Sequence, residues 1–567
     1  MKEYRGNIAI RMHCLAFLNA KCYNMTVYEE MNMRKKLLML GNILLLVSSF
    51  LLVTRLQKSN FDVFNKVSES YVDTVKSTLE QKPELEFTAL LCNETRVPFD
   101  DLSSTFYVPV NMEEKKWEKM EFVSGQKEYE IAFLEDITVK DKQRVIADGE
   151  KIEIIVYDQM YWATYYVVFT GLPIIDFATN EGFYATEEIT GSASFYDVDF
   201  TLHGVEQSAY NGHIRGNTSR MFPKKGYKLN LTYINEYGVE DGNKLSLFGM
   251  RKDDDWILHA LYNDDTKIRD RLSIEIWDRI GANEISENSY YGTRMSYVEV
   301  FADNQYCGLY GLFEPIDAKQ LGLAEEDYSY KRKNPGGIRY KFDDFSEASA
   351  TTVEIEGFEL KDGILNESSW MPMANLSSVM TSHNWEEKLQ KSQIINEDNL
   401  IRMWIFIQMI TGHDHTAKNM FFVAKYDEDL RYDYQFSFAP WDMDLTWGNV
   451  SVGETNPFYT EFKMDTLDNR VYWEIADMLI DSNYNQVKNR AQVLYNELRQ
   501  SVITDEEIEN MILMFDNELR ASGAFARDQQ RWPEGTHAKD TSVLQKYAKE
   551  RLNFLDIAIN DFTYFEE

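Results

Sequence analysis

The sequence contains few cysteines, and none of them is placed as a zinc ligand would be. The four are Cys14, Cys22, Cys92 and Cys307. No C-x-x-C pair and no cluster of cysteine and histidine with zinc spacing occurs. We therefore expect no zinc site of that kind, and the spacing of the cysteines alone predicts no disulfide bond.

Positive charge is also scarce. The chain has 59 lysine and arginine residues against 93 aspartate and glutamate residues, which gives a net charge of −34. This argues against a nucleic-acid partner, because proteins bind phosphate backbones through lysine and arginine. An acidic surface favours a basic polypeptide partner through electrostatic steering, or it serves solubility alone. The length of 567 residues predicts more than one domain.

Neither common glycine-rich phosphate loop, G-x-x-x-x-G-K-[ST] or the kinase loop G-x-G-x-x-G, fits the basic segment of residues 214–231. The segment instead joins a glycine-containing turn, with Arg215 and Asn217, to a strand pattern preceded by Lys225 and containing Lys228. Backbone N–H groups of such a turn can approach phosphates, and a basic side chain on the next strand offsets their charge. The spacing does not decide between the two lysines, and a basic surface hairpin is the alternative interpretation.

Long apolar runs are rare, and the clearest is Leu37–Val53. It follows Arg34, Lys35 and Lys36 and is short for a membrane span, so it is typical of a signal peptide or a signal anchor. No small-x-small cleavage site stands out after it, which favours an uncleaved anchor. The basic flank would stay in the cytoplasm. We therefore predict a membrane-anchored or secreted protein whose body lies outside the cytoplasm.

The chain divides into three parts. Residues 1–58 form an N-terminal tail that contains the apolar segment. Residues 59–170 are predicted to form a stalk and a small all-β module, because β-branched and aromatic residues dominate its later part. Residues 171–567 are predicted to form one larger α+β domain, with a helical C-terminal region in which apolar residues recur at helical spacing. Within it, residues 324–357 indicate an exposed insertion with a basic cluster.

The most informative pattern is an aspartate and an asparagine five positions apart, Asp414 and Asn419, followed one hairpin later by Asp442 and Asp444. A helical pattern precedes it, and two strand patterns separate the two acidic groups. Helix, loop, hairpin and acidic residue is the order of the catalytic segments in protein kinases. There, one Asp positions the nucleophile, while the Asn and the second Asp bind Mg²⁺ with ATP. In the alternative interpretation, Asp414 caps a turn and Asn419 begins a strand.

A helix predicted to end before Gly281 carries Glu275 beside its apolar stripe. In kinases, a Glu on the corresponding helix pairs with the Lys that contacts the phosphates. Glu275 is therefore a candidate partner of Lys225 or Lys228. A solvated helix residue is the alternative interpretation.

Together these segments resemble the spore-coat-protein-H family, CotH, which comprises atypical protein kinases of bacterial coats and surfaces. The resemblance covers roughly residues 172–458. Its markers, in chain order, are Arg215-Gly-Asn-Thr-Ser, Phe222-Pro-Lys-Lys-Gly-Tyr-Lys-Leu, Asp255-Trp-Ile-Leu, Asp265-Thr-Lys-Ile-Arg269, Tyr297-Val-Glu-Val, Gly308-Leu-Tyr-Gly-Leu, the loop from Asp414 to Asn419, and Pro440-Trp-Asp-Met-Asp-Leu-Thr-Trp-Gly448.

The resemblance implies a divergent two-lobed protein-kinase-like domain that uses ATP and Mg²⁺, or Mn²⁺ in its place, to phosphorylate Ser or Thr of surface or coat proteins. The acidic body favours a basic, Ser-rich protein substrate. The membrane segment and the β-module lie outside the resemblance and favour a surface enzyme over a spore-coat component. Two other functions stay open: a non-catalytic surface-binding or structural protein on a kinase-like scaffold, and a transferase of another group such as AMP.

The resemblance also implies roles for individual residues. Asp414 resembles the catalytic Asp, and Asn419 and Asp442 resemble the metal ligands, with Asp444 as the other candidate for the role of Asp442. The basic segment with Arg215 resembles the part that contacts the phosphates, and the resemblance does not decide between its lysines.

Overall fold

A computed structural model describes residues 67–117, 119–184, 187–216, 218–281, 289–333, 345, 347–451 and 460–565. The described chain is a mixed α+β structure. None of its helices is long and apolar enough to cross a membrane, and the predicted apolar segment at residues 37–53 lies outside the described residues. The α-helices are α1 Glu69–Thr78, α2 Lys142–Ala147, α3 Phe200–His203, α4 Arg269–Arg279, α5 Met371–Met380, α6 Trp385–Ser392, α7 Glu397–Ile410, α8 Glu474–Ser482, α9 Val487–Arg499, α10 Asp505–Ala521, α11 Ala524–Arg531 and α12 Ser542–Ala558.

Three larger sheets of six, eight and five strands follow one another along the described chain, beside three smaller ones. The strands are β1 Glu80–Gln81, β2 Leu90–Cys92, β3 Thr95–Arg96, β4 Phe99–Asp100, β5 Thr105–Pro109, β6 Phe122–Ser124, β7 Glu130–Phe133, β8 Ile152–Tyr157, β9 Tyr161–Thr170, β10 Ile174–Thr179, β11 Glu188–Tyr196, β12 Glu206–Ile214, β13 Tyr227–Ile234, β14 Glu240–Gly242, β15 Leu245–Ser246, β16 Lys252–Asp253, β17 Asp255–His259, β18 Met295–Ala302, β19 Gln305–Phe313, β20 Tyr328–Arg332, β21 Glu354–Ile355, β22 Phe358–Asp362, β23 Met420–Tyr426, β24 Tyr434–Pro440, β25 Asn449–Ser451 and β26 Thr460–Phe462.

The N-terminal module is built on the six-stranded sheet, in the order β4-β5-β9-β8-β7 with β1 beside β9. Helix α1 packs on this sheet, since Tyr71 and Val75 share a buried cluster with Trp162. Ser68 caps the helix by accepting a hydrogen bond from the backbone of Tyr71. Helix α1 lies in the stretch predicted as a stalk, whereas α2 lies within the predicted all-β module. The prediction that the module is all-β is therefore wrong, although strands dominate it.

The second sheet is curled into a barrel. Its strands follow the order β12-β11-β10-β18-β19-β17-β13-β14, and an additional pairing of β12 with β13 closes the ring. The inward side chains form a core that includes Leu229, Trp256 and Tyr310. The alternation predicted for β13 is present: Tyr227, Leu229 and Leu231 are buried and the residues between them are partly exposed.

The C-terminal half surrounds helix α7, whose residues are almost all buried. Asn396 caps the helix, as predicted, by accepting a hydrogen bond from the backbone of Asn399. Trp277 of α4 contacts Phe406 of α7, which joins the helix next to the barrel to this half. The predicted hairpin that follows the loop after α7 is present as β23 and β24.

Strand β20 corrects one prediction. Its residues were expected to belong to an exposed insertion, but β20 lies between β22 and β23 inside the five-stranded sheet. Tyr328 and Tyr330 are buried in the main core, and the guanidinium of Arg332 lies over the ring of Phe358. The prediction failed because basic residues in this stretch were interpreted as exposed. A long basic side chain can instead lie along apolar surface within a sheet, as that of Arg332 does.

The C-terminal helices return to the barrel. Helix α11 packs on β19. Arg527 forms a buried ion pair with Glu299 of β18 at 2.8 Å, and Asp528 forms another with Lys224 at 2.6 Å. These contacts fix the barrel relative to the C-terminal helices.

Candidate active site

The loop after helix α7 holds Asp414 with its side chain partly exposed. Thr411 ends the helix in a left-handed conformation with φ 52°, and residues 413–416 form a single 3₁₀ turn. The carboxylate of Asp414 pairs with the ammonium of Lys418 at 2.8 Å. Burial lowers the pKa of Lys418, but the Asp414 carboxylate more than offsets this, so the pKa is raised and the ammonium stays charged.

Asn419 and Asp442 are brought side by side by the ends of the β23–β24 hairpin. The amide of Asn419 donates a hydrogen bond to the carbonyl of Asp442 at 3.3 Å, and the backbone N–H of Trp441 donates to the carbonyl of Asn419 at 3.0 Å. Both Asn419 and Asp442 have positive φ angles, 59° and 62°, a conformation that Asn and Asp tolerate better than most residues. Such backbone strain is often found at functional sites.

Asp442 and Asp444 meet the imidazole of His259, the last residue of β17. One ligand atom from each of these three residues lies within 4.8 Å of the others. The Nε2 atom of His259 is 4.0 Å from Oδ1 of Asp442, and the amide of Asn263 donates to Asp444 at 2.7 Å. Carboxylate oxygens and imidazole nitrogens are common ligands of divalent cations, so this donor set fits one.

The acidic side of the site has more negative charge than nearby side chains compensate. Burial and the neighbouring Asp442 raise the pKa of Asp444 to about 7. Burial, followed by Asp444 and Asp442, raises the pKa of the buried Asp270 well above its ordinary value. Asp442 differs: burial raises its pKa, but Arg215, His259 and other cations nearby lower it overall. A divalent cation bound here would supply the positive charge that balances these carboxylates.

The basic side of the site comes from the segment that follows β12 and from strand β20. The guanidinium carbon of Arg215 lies 5.5 Å from the ring centre of Trp441, and the ammonium of Lys331, on β20, lies 5.7 Å from it. Both residues lower the pKa of the neighbouring Asp442. Burial and then Arg215 lower the pKa of Lys331 to about 8. The pair therefore forms a small basic patch beside the acidic cluster, suited to phosphate oxygens.

Three of the other predicted residues lie elsewhere or outside the described chain. Lys228 forms an ion pair at 3.2 Å with Asp255, at the start of β17. This is about 13 Å along the strand from His259 at its end. Lys225 donates a hydrogen bond to the carbonyl of Arg220 at 2.6 Å. Asn217 lies outside the described residues.

Glu275 does not form the predicted pair with a lysine. Its carboxylate pairs with Arg279 on the same helix at 2.9 Å. The acidic residue of α4 that faces the site is Asp270, which accepts a hydrogen bond from the backbone N–H of Met443 at 2.8 Å. Asp270 and Glu275 are five positions apart, which turns one side chain by about 140° around the helix from the other. The predicted pair was therefore wrong because the face of the helix was misjudged.

Sequence reasoning missed His259, Asp270 and Lys331. The first two directly follow the marker segments that end at Leu258 and Arg269. In kinases, a strand and the helix that follows it carry the phosphate-contacting Lys and its partner Glu. The same order of strand and helix in this sequence could therefore have indicated His259 and Asp270. Lys331 offered a weaker signal, because only the pairing of β20 with β23 places it at the site.

Comparison with known proteins agrees with this geometry. Residues 213–555, more than half of the chain, match the family model described as CotH kinase protein. The matched region contains the barrel from the end of β12 onward, the loop with Asp414, the acidic pair and most of the C-terminal helices. A search of curated proteins gave no match.

Proposed function

The chain belongs to the CotH kinase family, and on that premise we propose that it transfers the γ-phosphate of ATP to a serine or threonine hydroxyl of a protein. The observation that carries the proposal is the meeting of an acidic and a basic group at one site. Asp442 and His259 lie 4.0 Å apart on the acidic side, and Lys331 and Arg215 lie over Trp441 beside them. Phosphoryl transfer needs carboxylates for a metal ion and cations for phosphate oxygens.

Asp414 is proposed as the residue that positions the acceptor hydroxyl. The hydroxyl oxygen forms a bond to the γ-phosphorus, the bond from that phosphorus to the ADP oxygen breaks, and the hydroxyl proton passes to the Asp414 carboxylate. Lys418 holds this carboxylate through its ion pair at 2.8 Å. In this scheme the loop contributes mainly orientation, which is a large part of the rate in phosphoryl transfer.

Asn419, Asp442 and Asp444 are the proposed residues for Mg²⁺. The bound ion would draw negative charge from the β- and γ-phosphate oxygens. Arg215 and Lys331 are proposed to offset the remaining charge of the phosphates from the other side of Trp441. Lys225 and Lys228 have no part in this proposal, because the structure gives both of them other partners.

The test is phosphate transfer from γ-labelled ATP to a basic, serine-rich protein, with Mg²⁺ or Mn²⁺, by the purified protein and by Asp414→Ala. Loss of the positioning carboxylate should lower transfer by about 100- to 10,000-fold. A parallel reaction with α-labelled ATP separates phosphate transfer from AMP transfer. Full activity of Asp414→Ala, with an unchanged melting temperature, would contradict the assignment of Asp414. Incorporation of label from α-labelled ATP but not from γ-labelled ATP would show that the transferred group is AMP rather than phosphate.

We also propose that the body of the protein acts outside the cytoplasm on basic protein substrates. The apolar run at residues 37–53 with its basic flank supports the location, and the net charge of −34 supports the substrate class. Protease added to intact cells should digest the body while a cytoplasmic marker survives. A body that stays protected until the cells are lysed would contradict the location.

A further inference from the structure

The two ring nitrogens of His259 face two different carboxylates. Nε2 lies 4.0 Å from Oδ1 of Asp442, and Nδ1 lies 3.9 Å from Oδ2 of Asp270. Both distances exceed hydrogen-bond length. Nδ1 is buried and has no hydrogen-bond partner among the described residues. This buried Nδ1 atom calls for an explanation, because unpaired buried polar atoms are costly.

The spacing on the Nε2 side fits a shared cation. Metal–ligand distances of about 2.1 Å for Mg²⁺-type and imidazole ligands allow one ion to join two ligand atoms that are up to about 4.2 Å apart. The separation of 4.0 Å between His259 and Asp442 falls inside this limit. Asp444 has a ligand atom within 4.8 Å of both, so a side-chain movement of about 0.6 Å or less brings it to the same ion. Three ligand atoms from two elements, β17 and the loop after β24, therefore face one small volume.

The Nδ1 side faces a carboxylate that would orient the ring once metal binding draws the two atoms from 3.9 Å to hydrogen-bond distance. A histidine that binds a metal usually directs its other ring nitrogen to a carboxylate or a carbonyl, which fixes the ring and its tautomer. Asp270 is well held for this purpose, because its other oxygen accepts the backbone N–H of Met443 at 2.8 Å. Met443 lies between the two carboxylates of the acidic pair, so the metal side and the orienting side are mechanically connected.

We propose that His259 is a further protein ligand of the metal assigned to Asn419, Asp442 and Asp444, with Asp270 as the residue that positions its imidazole. The ligand set thereby includes nitrogen, and it favours Mn²⁺ over Mg²⁺, because Mg²⁺ prefers oxygen ligands and water while imidazole suits transition metals. The inference rests on the proposed function for the identity of the acidic ligands. It goes beyond that function in giving a barrel residue a metal-binding role.

The test is pulsed electron paramagnetic resonance of Mn²⁺ bound to the full-length protein, with tripolyphosphate in place of ATP so that no nucleotide nitrogen is present. Wild type should show echo modulation from a directly bound ¹⁴N nucleus. Protein grown with ¹⁵N-histidine should show the ¹⁵N pattern instead, which tests the ligand without any substitution. Absence of nitrogen modulation in the wild type, or failure to bind Mn²⁺, would overturn the proposal.

Two variants assign the nitrogen to a residue. His259→Ala should abolish the modulation and weaken Mn²⁺ binding more than Mg²⁺ binding. Asp270→Asn should keep the modulation and weaken Mn²⁺ binding by about 10-fold or more, as loss of an orienting partner does. His203→Ala is the matched control, since His203 is exposed at the end of α3; it should change neither. Modulation that persists in His259→Ala would overturn the assignment.

This experiment separates the inference from the proposed function, because it needs neither ATP nor phosphate transfer. If the protein binds Mn²⁺ through nitrogen but transfers no phosphate, the metal site is supported and the kinase activity is refuted. Phosphate transfer by a protein whose Mn²⁺ shows no bound nitrogen would refute only the role of His259.

Discussion

Two buried groups of charged side chains join the barrel to the rest of the molecule, and they differ in how their charges are balanced. In the structural cluster, Lys224 pairs with Asp528 at 2.6 Å. Asp528 also accepts hydrogen bonds from the backbone of Leu309 at 3.0 Å and from His537 at 3.2 Å. The ammonium of Lys224 lowers the pKa of Asp528 far below its ordinary range despite burial.

The acidic cluster, formed by Asp270, Asp442, Asp444 and His259, shows the opposite balance. Burial and neighbouring carboxylates raise the pKa of Asp270 and of Asp444. Within the described part of the chain, His259 is the only basic side chain at ion-pair distance from the cluster's carboxylates. The charges of the structural cluster are balanced within the protein, whereas those of the acidic cluster are balanced only with added positive charge. Incomplete compensation of buried charge is typical of functional sites.

The largest expected effect is on the proposed phosphate transfer at the acidic cluster. Asp442→Ala should lower phosphate transfer by at least about 1,000-fold, because the carboxylate proposed to hold the metal against the phosphates is lost. At pH 8, Asp444→Asn should leave the urea midpoint of the metal-free protein equal or higher, because burial and Asp442 raise the pKa of Asp444 and its negative charge is therefore unfavourable in the folded protein. Transfer and urea denaturation are measured on both variants. A clear fall in the urea midpoint would show that this cluster also holds the fold together.

The structural cluster should respond in the reverse way. Asp528→Ala leaves Lys224 buried without its partner and should lower the free energy of unfolding by about 3–5 kcal/mol, measured by urea denaturation. The double change Lys224→Met with Asp528→Leu is the control, because replacing both members of a buried pair by apolar residues restores most of the stability. An Asp528→Ala protein as stable as wild type would remove the contrast between the clusters.

A smaller effect is expected at the basic side of the catalytic site. The pKa of Lys331 is about 8 in the free protein, through burial and Arg215. A bound phosphate favours the charged ammonium and raises that pKa, so binding takes up a proton above pH 8. Nucleotide affinity should be level below pH 8 and fall by up to about tenfold per pH unit above it, as measured with a fluorescent ATP analogue.

Lys331→Arg is the control for this pH dependence, because a guanidinium stays charged throughout the range. Its affinity should be level across the same pH values, while Lys331→Met should bind weakly at all of them. An unchanged decline above pH 8 in Lys331→Arg would place the titrating group elsewhere.

These contrasts also show what the sequence could predict. The loop with Asp414 and the acidic pair after the hairpin were predictable, because caps, alternation and spacing within about 50 residues of chain determine them. Lys331 was not, since its position depends on pairing with Phe421, far along the chain. The misjudged Glu275 shows a different limit: the periodicity predicts a helix, but choosing which acidic residue faces the site requires knowing how that helix packs.

The smallest expected effect concerns that same helix. Glu275 and Arg279 are both about one-third exposed and four residues apart, so Glu275→Ala should change the free energy of unfolding by about 0.5 kcal/mol or less. Phosphate transfer should stay within about twofold of wild type, which is only about 0.4 kcal/mol, because Asp270 rather than Glu275 faces the proposed site. Asp270→Ala is the matched comparison, since both changes remove one carboxylate from α4. Equal losses of transfer in the two variants would mean that the helix moves on nucleotide binding and brings Glu275 to the site, as kinase helices of this position can do.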